Sequence, residues 1–350
     1  MTFTPQPKDL EFKIQSLMRA QVSDELDFSS VASEVFAYQF RHNLPYQRYC
    51  EALEVSPDNV SHWKQIPAIT TDAFKSQAHP LVCFPTNAAS HKFLTSGTTQ
   101  DVRGQHFFPT ITLYESSIIA AWKTLDLPEP ANVIILTPKP ENAPHSSLSH
   151  MMGVLEQHYE GASVLWAIDD HGQIDIDLIE SAVAQQSPIA ILGTALAFLH
   201  LCENHRLPLP AGSFAMETGG YKGTGRQMEK EDLYALFQRQ LGLPPESIIN
   251  EYSMTELSSQ FYTRGLGEPH HGPSWTRTQV IDPRTGHEAA PGEPGYLAIY
   301  DLANLHSVMA IQTQDIAVAT HQGSFQLLGR DPSALPRGCS RAADHAMQSS

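Results

Sequence analysis

"PIAILGTALAFLHLCENH", residues 188 to 205, begins as an apolar run and ends with a helical period. With the residues before it, Ser181 to Cys202 carries no formal charge, which is the texture of a membrane span. Its apolar part is only about 15 residues, short of the ~20 that a bilayer requires, and it includes Gly193 and His200. The better reading is a buried strand, "PIAILG", running into a helix, "TALAFLHLCENH". Its neighbours follow the same plan. From residue 131 onward "NVIILTP", "ASVLWAID", "SFAMETGG" and "SIINEYSM" are short apolar runs, each leading through a polar turn into a helical pattern. Alternation of this kind predicts an α/β fold with a largely parallel sheet covered on both faces and ligands at the carboxyl ends of its strands.

Away from that core the texture changes. Residues 1–90 read as a helical layer of the same domain, through "DLEFKIQSLMRAQ", "SEVFAYQFRHN" and "PYQRYCEAL". After residue 270, "TQVIDPRTG", "GYLAIYDL", "MAIQTQDIA" and "SFQLLGR" predict a more antiparallel last third. Residues 331–350 have few large apolar side chains and read as a mobile tail beyond a core of residues 91–330.

Composition narrows the function. With 38 acidic and 22 basic residues, the formal charge of -16 opposes non-specific attraction to nucleic acid or anionic lipid. Cys50, Cys83, Cys202 and Cys339 are widely spaced and form no metal-binding pattern, which fits a reducing cytoplasm. The amino-terminal sequence lacks the basic-then-apolar order of a signal peptide.

Against that acidic background the polar turns stand out. "FLTSGTTQDVRG", residues 93 to 104, combines glycines, hydroxyls and Arg103, a chemistry suited to phosphate and shared with an ordinary Ser/Thr-rich hairpin. It is neither a Walker A nor a GxGxxG sequence. "METGGYKGTGRQM", residues 216 to 228, adds adjacent glycines at a strand's carboxyl end, with Lys222 and Arg226 as a basic island. "NEYSMTELSSQFY", residues 250 to 262, offers the ring of Tyr252, the hydroxyl of Thr255 and a carboxylate, Glu256, suited to magnesium. Asp315 can accept from a ribose diol, and Arg330 can bind phosphate.

The order "TSGTT", "GG", "YSMTE", "TQD", "LLGR" resembles the adenylate-forming superfamily. The chain more closely resembles the acyl-protein synthetase (LuxE-like) family through "TPKPENAPHSSLSHMMGVL", "ILGTALAF", "METGGYKG", "DLANLHS" and "LLGRDPSALPRGCSRAAD", over roughly residues 35 to 345. The resemblance implies the large domain of an adenylate-forming enzyme, without the carboxyl-terminal domain that carries a catalytic lysine. It also implies ATP-dependent activation of a carboxylic acid to acyl-AMP, with Mg2+. Thr95, Ser96, Gly97, Thr98 and Thr99 would wrap the phosphates. Gly219 and Gly220 would line the adenine, and Tyr252 would stack on it. Thr255 would contact the α-phosphate, Glu256 would hold magnesium, and Asp315 would take the ribose hydroxyls with Arg330 close by. His145 falls where the superfamily gates its carboxylate pocket. Gln100 and Ser253 depart from the superfamily pattern, each standing where glycine is usual.

The resembled family passes its acyl group to a cysteine near its own carboxyl terminus, and Cys339 in "RGCS" occupies that place, with an acyl-reductase as the implied partner protein. Arg337 and Arg341 favour its thiolate. "ILGTALAFLH" and "SSLSHMMGVL" are suited to lining an apolar slot for a fatty or aryl acid. Two alternatives stay open from sequence: an acid–CoA ligase using free coenzyme A, and a protein that binds nucleotide or acyl-adenylate without turnover.

Overall fold

A computed structural model describes residues 6–20, 24–95, 102–169, 172–219 and 228–331. The chain forms two compact units, one of Met1–Thr124, Met254–Ser259 and Pro269–Ser350, the other of Leu125–Ser253 and Gln260–Glu268.

The first unit opens with three helices, as the sequence predicts. In α1 (Pro7–Ala20), Leu10, Ile14 and Met18 recur every four residues and form one buried stripe. Helix α2 (Glu25–His42) starts eight residues before the "SEVF" pattern, because the Asp24 side chain caps the Asp27 amide and acidic residues fill the first turn. Helix α3 (Leu44–Ala52) is capped by Asn43. Strand β1 (Ile69–Thr70) precedes an antiparallel hairpin, β2 (His91–Leu94) and β3 (Gln105–Phe108), in which Leu94 pairs with Gln105. The chain from Thr95 to Gly104 connects these two strands. Helix α4 (Thr112–Lys123) then packs on α1.

The second unit holds β4 (Asn132–Leu136), α5 (Ser147–His158), β5 (Ser163–Trp166), α6 (Ile176–Val183), β6 (Ile189–Thr194), α7 (Ala195–Asn204), β7 (Phe214–Thr218), α8 (Lys230–Leu241), β8 (Ile248–Tyr252) and β9 (Phe261–Arg264). Its sheet runs in the order β5-β4-β6-β7-β8-β9, parallel except for β9 at the edge. Every residue of β4, β7 and β8 is buried, the signature of strands covered on both faces. The chain goes from β4 outward to β5 and then back past it to β6, so the topological switch lies between β4 and β6.

Right-handed crossovers therefore place α5 on one face and α6, α7 and α8 on the other. The core agrees. Ile134, Leu136, Ile191, Ala215 and Ile248 from the strands cluster with Ile179, Phe198, Tyr234 and Phe237 from α6, α7 and α8. No helix among the described residues is long and apolar enough to cross a membrane. The charge-free stretch is the β6–α7 pair.

The chain returns to the first unit with β10 (Thr276–Ile281), β11 (Pro294–Asp301), β12 (Ala310–Ala319) and β13 (Phe325–Arg330). They pair antiparallel, and β1 adds in parallel to the first part of β12. The predicted change to antiparallel pairing after residue 270 is present.

At the switch point Gly193 has no room for a side chain, since a Cβ there would lie 2.7 Å from Leu136 Cβ. Gly193→Ala is expected to lower the unfolding free energy by about 1–3 kcal/mol through overpacking, read as a lower urea midpoint at unchanged slope.

Candidate active site

Three segments distant in sequence meet in the first unit. The loop after β2 is closed at its neck: the Thr95 amide donates to the Gly104 carbonyl at 3.0 Å, and the Gly104 amide donates to Thr95 Oγ1 at 2.8 Å. A Cβ on Gly104 would lie 2.8 Å from Thr95 Cγ2 and 3.6 Å from Glu256 Oε1, so only glycine fits between the neck and that carboxylate. Two residues on, His106 of β3 contacts the Thr255 carbonyl through Nδ1 at 2.9 Å. A carbonyl only accepts, so Nδ1 carries the proton. The neck of that loop, Thr255 and Glu256 are thus held side by side. Ser96, Gly97, Thr98 and Thr99 lie outside the described residues.

The backbone carrying Thr255 and Glu256 is irregular, and buried side chains fix it. Asn304 Nδ2 donates to the Glu256 carbonyl at 2.8 Å, and its Oδ1 accepts from Ser258 Oγ at 2.6 Å. Asp301 accepts from the Ser258 amide at 2.9 Å and from Ser259 Oγ at 2.7 Å. Ser259 Oγ in turn accepts from Trp275 Nε1 and meets Ser117 Oγ of α4, each at 2.9 Å. Burial pushes the Asp301 carboxyl up to about 6, against the donors that favour its ionised form. The helical layer reaches the same segment through Gln39 of α2, which donates to the Asn304 and Leu305 carbonyls and accepts from the Met309 amide. "DLANLHS" is the sequence trace of this support, although no role follows from its composition.

Asp315 and Arg330 face one another across β12 and β13 as register partners. Asp315 lies where β12 exchanges β1 for β13 as its neighbour. Gln314 beside it accepts from Arg330 Nη2 at 2.9 Å and donates to Asp72 at 3.1 Å, two partners that sequence reading missed.

The remaining described candidates belong to the second unit. Gly219 directly follows β7 and Tyr252 ends β8, both at carboxyl ends of parallel strands. Tyr252 is buried, with Phe261 edge-on at 6.3 Å. His145 is exposed in the turn before Ser146, the residue whose side chain caps α5. Gly220 and Cys339 lie outside the described residues. No cluster of three or more metal-ligating side chains occurs among the described residues.

The fold is that of the adenylate-forming ligases. An open 2-hydroxyisobutyryl-CoA ligase in complex with 2-HIB-AMP and CoA superimposes with a TM-score of 0.68 at 14% identity, over 87% of this chain and 69% of its own. ATP-bound MatB from Rhodopseudomonas palustris gives 0.51 at 16% identity over 71% of this chain, which spans about half of MatB. No match was found among curated protein sequences. Within that fold class the sequence is specific: residues 10–348 match the family described as acyl-protein synthetase, LuxE, and the chain belongs to that family. It is a ligase.

His106 supplies a test of this geometry. Burial holds its imidazole down to about 4, against 6.5 for a free histidine, while the Thr255 carbonyl pulls the other way. A depressed histidine contributes stability that is present above about pH 6.5 and lost as pH falls toward 4, here up to about 3 kcal/mol at ~1.4 kcal/mol per pH unit. His106→Asn keeps a donor near Nδ1 and is expected to flatten that part of the stability–pH curve relative to wild type, as measured by urea unfolding from pH 4 to 7.

Proposed function

We propose that the enzyme activates a carboxylic acid with ATP to acyl-AMP and pyrophosphate, then forms an acyl-thioester on Cys339 for delivery to a partner acyl-reductase. Membership of the acyl-protein synthetase family and the adenylate-forming fold support the first half-reaction. The observation that carries the reading is the convergence of the Thr95–Gly104 neck, Thr255 and Glu256, joined through His106.

In this reading the loop amides and the hydroxyls of residues 95–99 hold the phosphates, and Thr255 meets the α-phosphate. Tyr252 stacks on the adenine with Gly219 and Gly220 alongside, Asp315 binds the ribose hydroxyls with Arg330 nearby, and His145 gates the acid. A carboxylate oxygen of the acid attacks the α-phosphorus and the bond to pyrophosphate breaks. No general base is needed, because the nucleophile is already ionised at neutral pH. The protein's work is positioning and neutralisation of charge.

A single carboxylate at the neck of a phosphate loop fits a magnesium ion held mainly by phosphates, and Glu256 would hold it. When bound, Mg2+ supplies charge neutralisation on the phosphate oxygens. In the second half-reaction the Cys339 thiolate attacks the acyl carbon, and AMP leaves as the C–O bond breaks. The acid is a fatty or aryl acid, as the apolar sequence of α5 suggests; α7 lies on the opposite face of the sheet and does not share that slot.

A screen of carboxylic acids for acid-dependent pyrophosphate release tests the first half. Glu256→Gln is expected to lower that release at least about 100-fold with the fold intact, and unchanged turnover would remove Glu256 from the site. With labelled acid, wild type is expected to accumulate a hydroxylamine-sensitive label on the protein. Cys339→Ser should release pyrophosphate without retaining that label. Label found only on added coenzyme A would support the acid–CoA ligase instead.

A further inference from the structure

Two buried glutamates end neighbouring strands of the second unit, and the proposed reaction uses neither. Glu217 of β7 is fully buried and points to the α8 face, where Lys230 Nζ lies 3.2 Å away and the Tyr234 hydroxyl donates at 3.1 Å. It has a cation and is accounted for. Glu251 of β8 is 2% exposed and is differently placed. Successive residues of a strand point to opposite faces, so Glu251 and its register partner Thr218 point to the α5 face.

Around Glu251 the inventory is incomplete. Thr218 Oγ1 donates to Glu251 Oε2, and the Ser253 side chain is a second hydrogen-bond partner. No ion pair to Glu251 exists among the described residues, and its Oε1 is buried without a hydrogen-bond partner there. Burial pushes this carboxyl upward, and the nearby Glu217 charge adds to the shift. A buried carboxyl oxygen without a hydrogen-bond partner is destabilising, and a bound donor would recover that cost. The neighbourhood is polar in a line: Thr194, Thr218 and Glu251 stand in register across β6, β7 and β8, at the carboxyl ends of strands where an α/β sheet receives its ligand. Tyr252, the residue proposed to stack on adenine, points to the opposite face of the strand. Glu251 therefore belongs to the acid rather than to the nucleotide.

We infer that Glu251, positioned by Thr218, is a specificity-determining residue of the acid site, and that the enzyme's substrate is a fatty or aryl acid carrying a hydrogen-bond donor, a hydroxyl or an amino group. The inference rests on the adenylation reading and goes beyond it in the chemical class of the acid. The apolar body of the substrate meets the apolar sequence of α5 on that same face, and its donor meets Oε1.

The test is acid-dependent ATP–pyrophosphate exchange with matched acids: octanoic and benzoic acids, and the same skeletons bearing one hydroxyl or one amino group at successive positions. Sites built to pair a polar group reject analogues lacking it by ~10⁴-fold or more in favourable cases. At least one substituted acid is therefore expected to exceed its parent by about 100-fold in kcat/KM. Glu251→Leu should reverse that order in favour of the parent acid. Glu251→Gln keeps the shape, exchanges the carboxylate for a weaker amide acceptor and should reduce the ratio at least about tenfold. The hydroxyl and amino series separate the two donors.

Exchange with the parent acids that equals or exceeds all substituted ones would overturn the inference and leave adenylation standing. A preference for substituted acids that survives unchanged in Glu251→Gln would remove Glu251 from the acid site. Absence of exchange with every acid, in a folded wild-type enzyme, would overturn the adenylation reading itself and this inference with it.

Discussion

Hydrogen bonds of the Asn304 side chain with Glu256 and Ser258 hold the turn on which the candidate site depends. Residues 254–259 have no helix or strand pairing to set their backbone, yet they must present Thr255 and Glu256 in fixed positions. Asn304 binds the Glu256 carbonyl and the Ser258 hydroxyl, Asp301 takes the next amide, and Gln39 holds the Asn304 backbone from the helical layer. Each group is buried, so each lost partner would leave a polar atom unsatisfied in a low-dielectric interior. The amino-terminal helices support the chemistry through this relay without contributing a reacting group.

The same relay explains what was and was not legible in the sequence. Central parallel strands are buried on both faces, so β4, β6, β7 and β8 show as continuous apolar runs, and their alternation with helices indicates a largely parallel sheet. The loop of residues 95–104 and Glu256 stood out because hydroxyls, glycines and a carboxylate gather at strand ends. Gly104, His106, Asn304 and Gln39 gave no such signal. Their roles come from contacts between segments some 150 to 270 positions apart. The hairpin of β2 and β3 was equally hidden, since four-residue strands around a long loop have too few residues to show a period.

The charge distribution imposes a second constraint. In the proposed reading, a chain of formal charge -16 disfavours the approach of ATP, and local donors would have to hold its phosphates. Backbone amides and hydroxyls suit that task, because they bind anions without adding charges that would themselves have to be desolvated. The closed Thr95–Gly104 neck fixes where such a loop begins and ends. His106 reinforces the neck as a neutral ring: held down to about 4 by burial, it bonds to Thr255 without placing a positive charge beside Glu256.

The two buried glutamates at the carboxyl ends of β7 and β8 show how one sheet separates structural from selective polarity. Both carboxyls are raised by burial, and both have one oxygen without a hydrogen-bond partner among the described residues. Glu217 is compensated by the Lys230 ammonium and the Tyr234 hydroxyl on α8, so its charge is neutralised within the fold whatever else is bound. Glu251 on the other face has hydroxyl partners and no cation among the described residues. Hydroxyls orient a carboxyl but compensate its desolvation only in part. In the proposed reading of the acid site, its free energy depends on what occupies the α5 face. A buried group whose desolvation is recovered by a bound donor would, in that reading, select for a ligand that carries one.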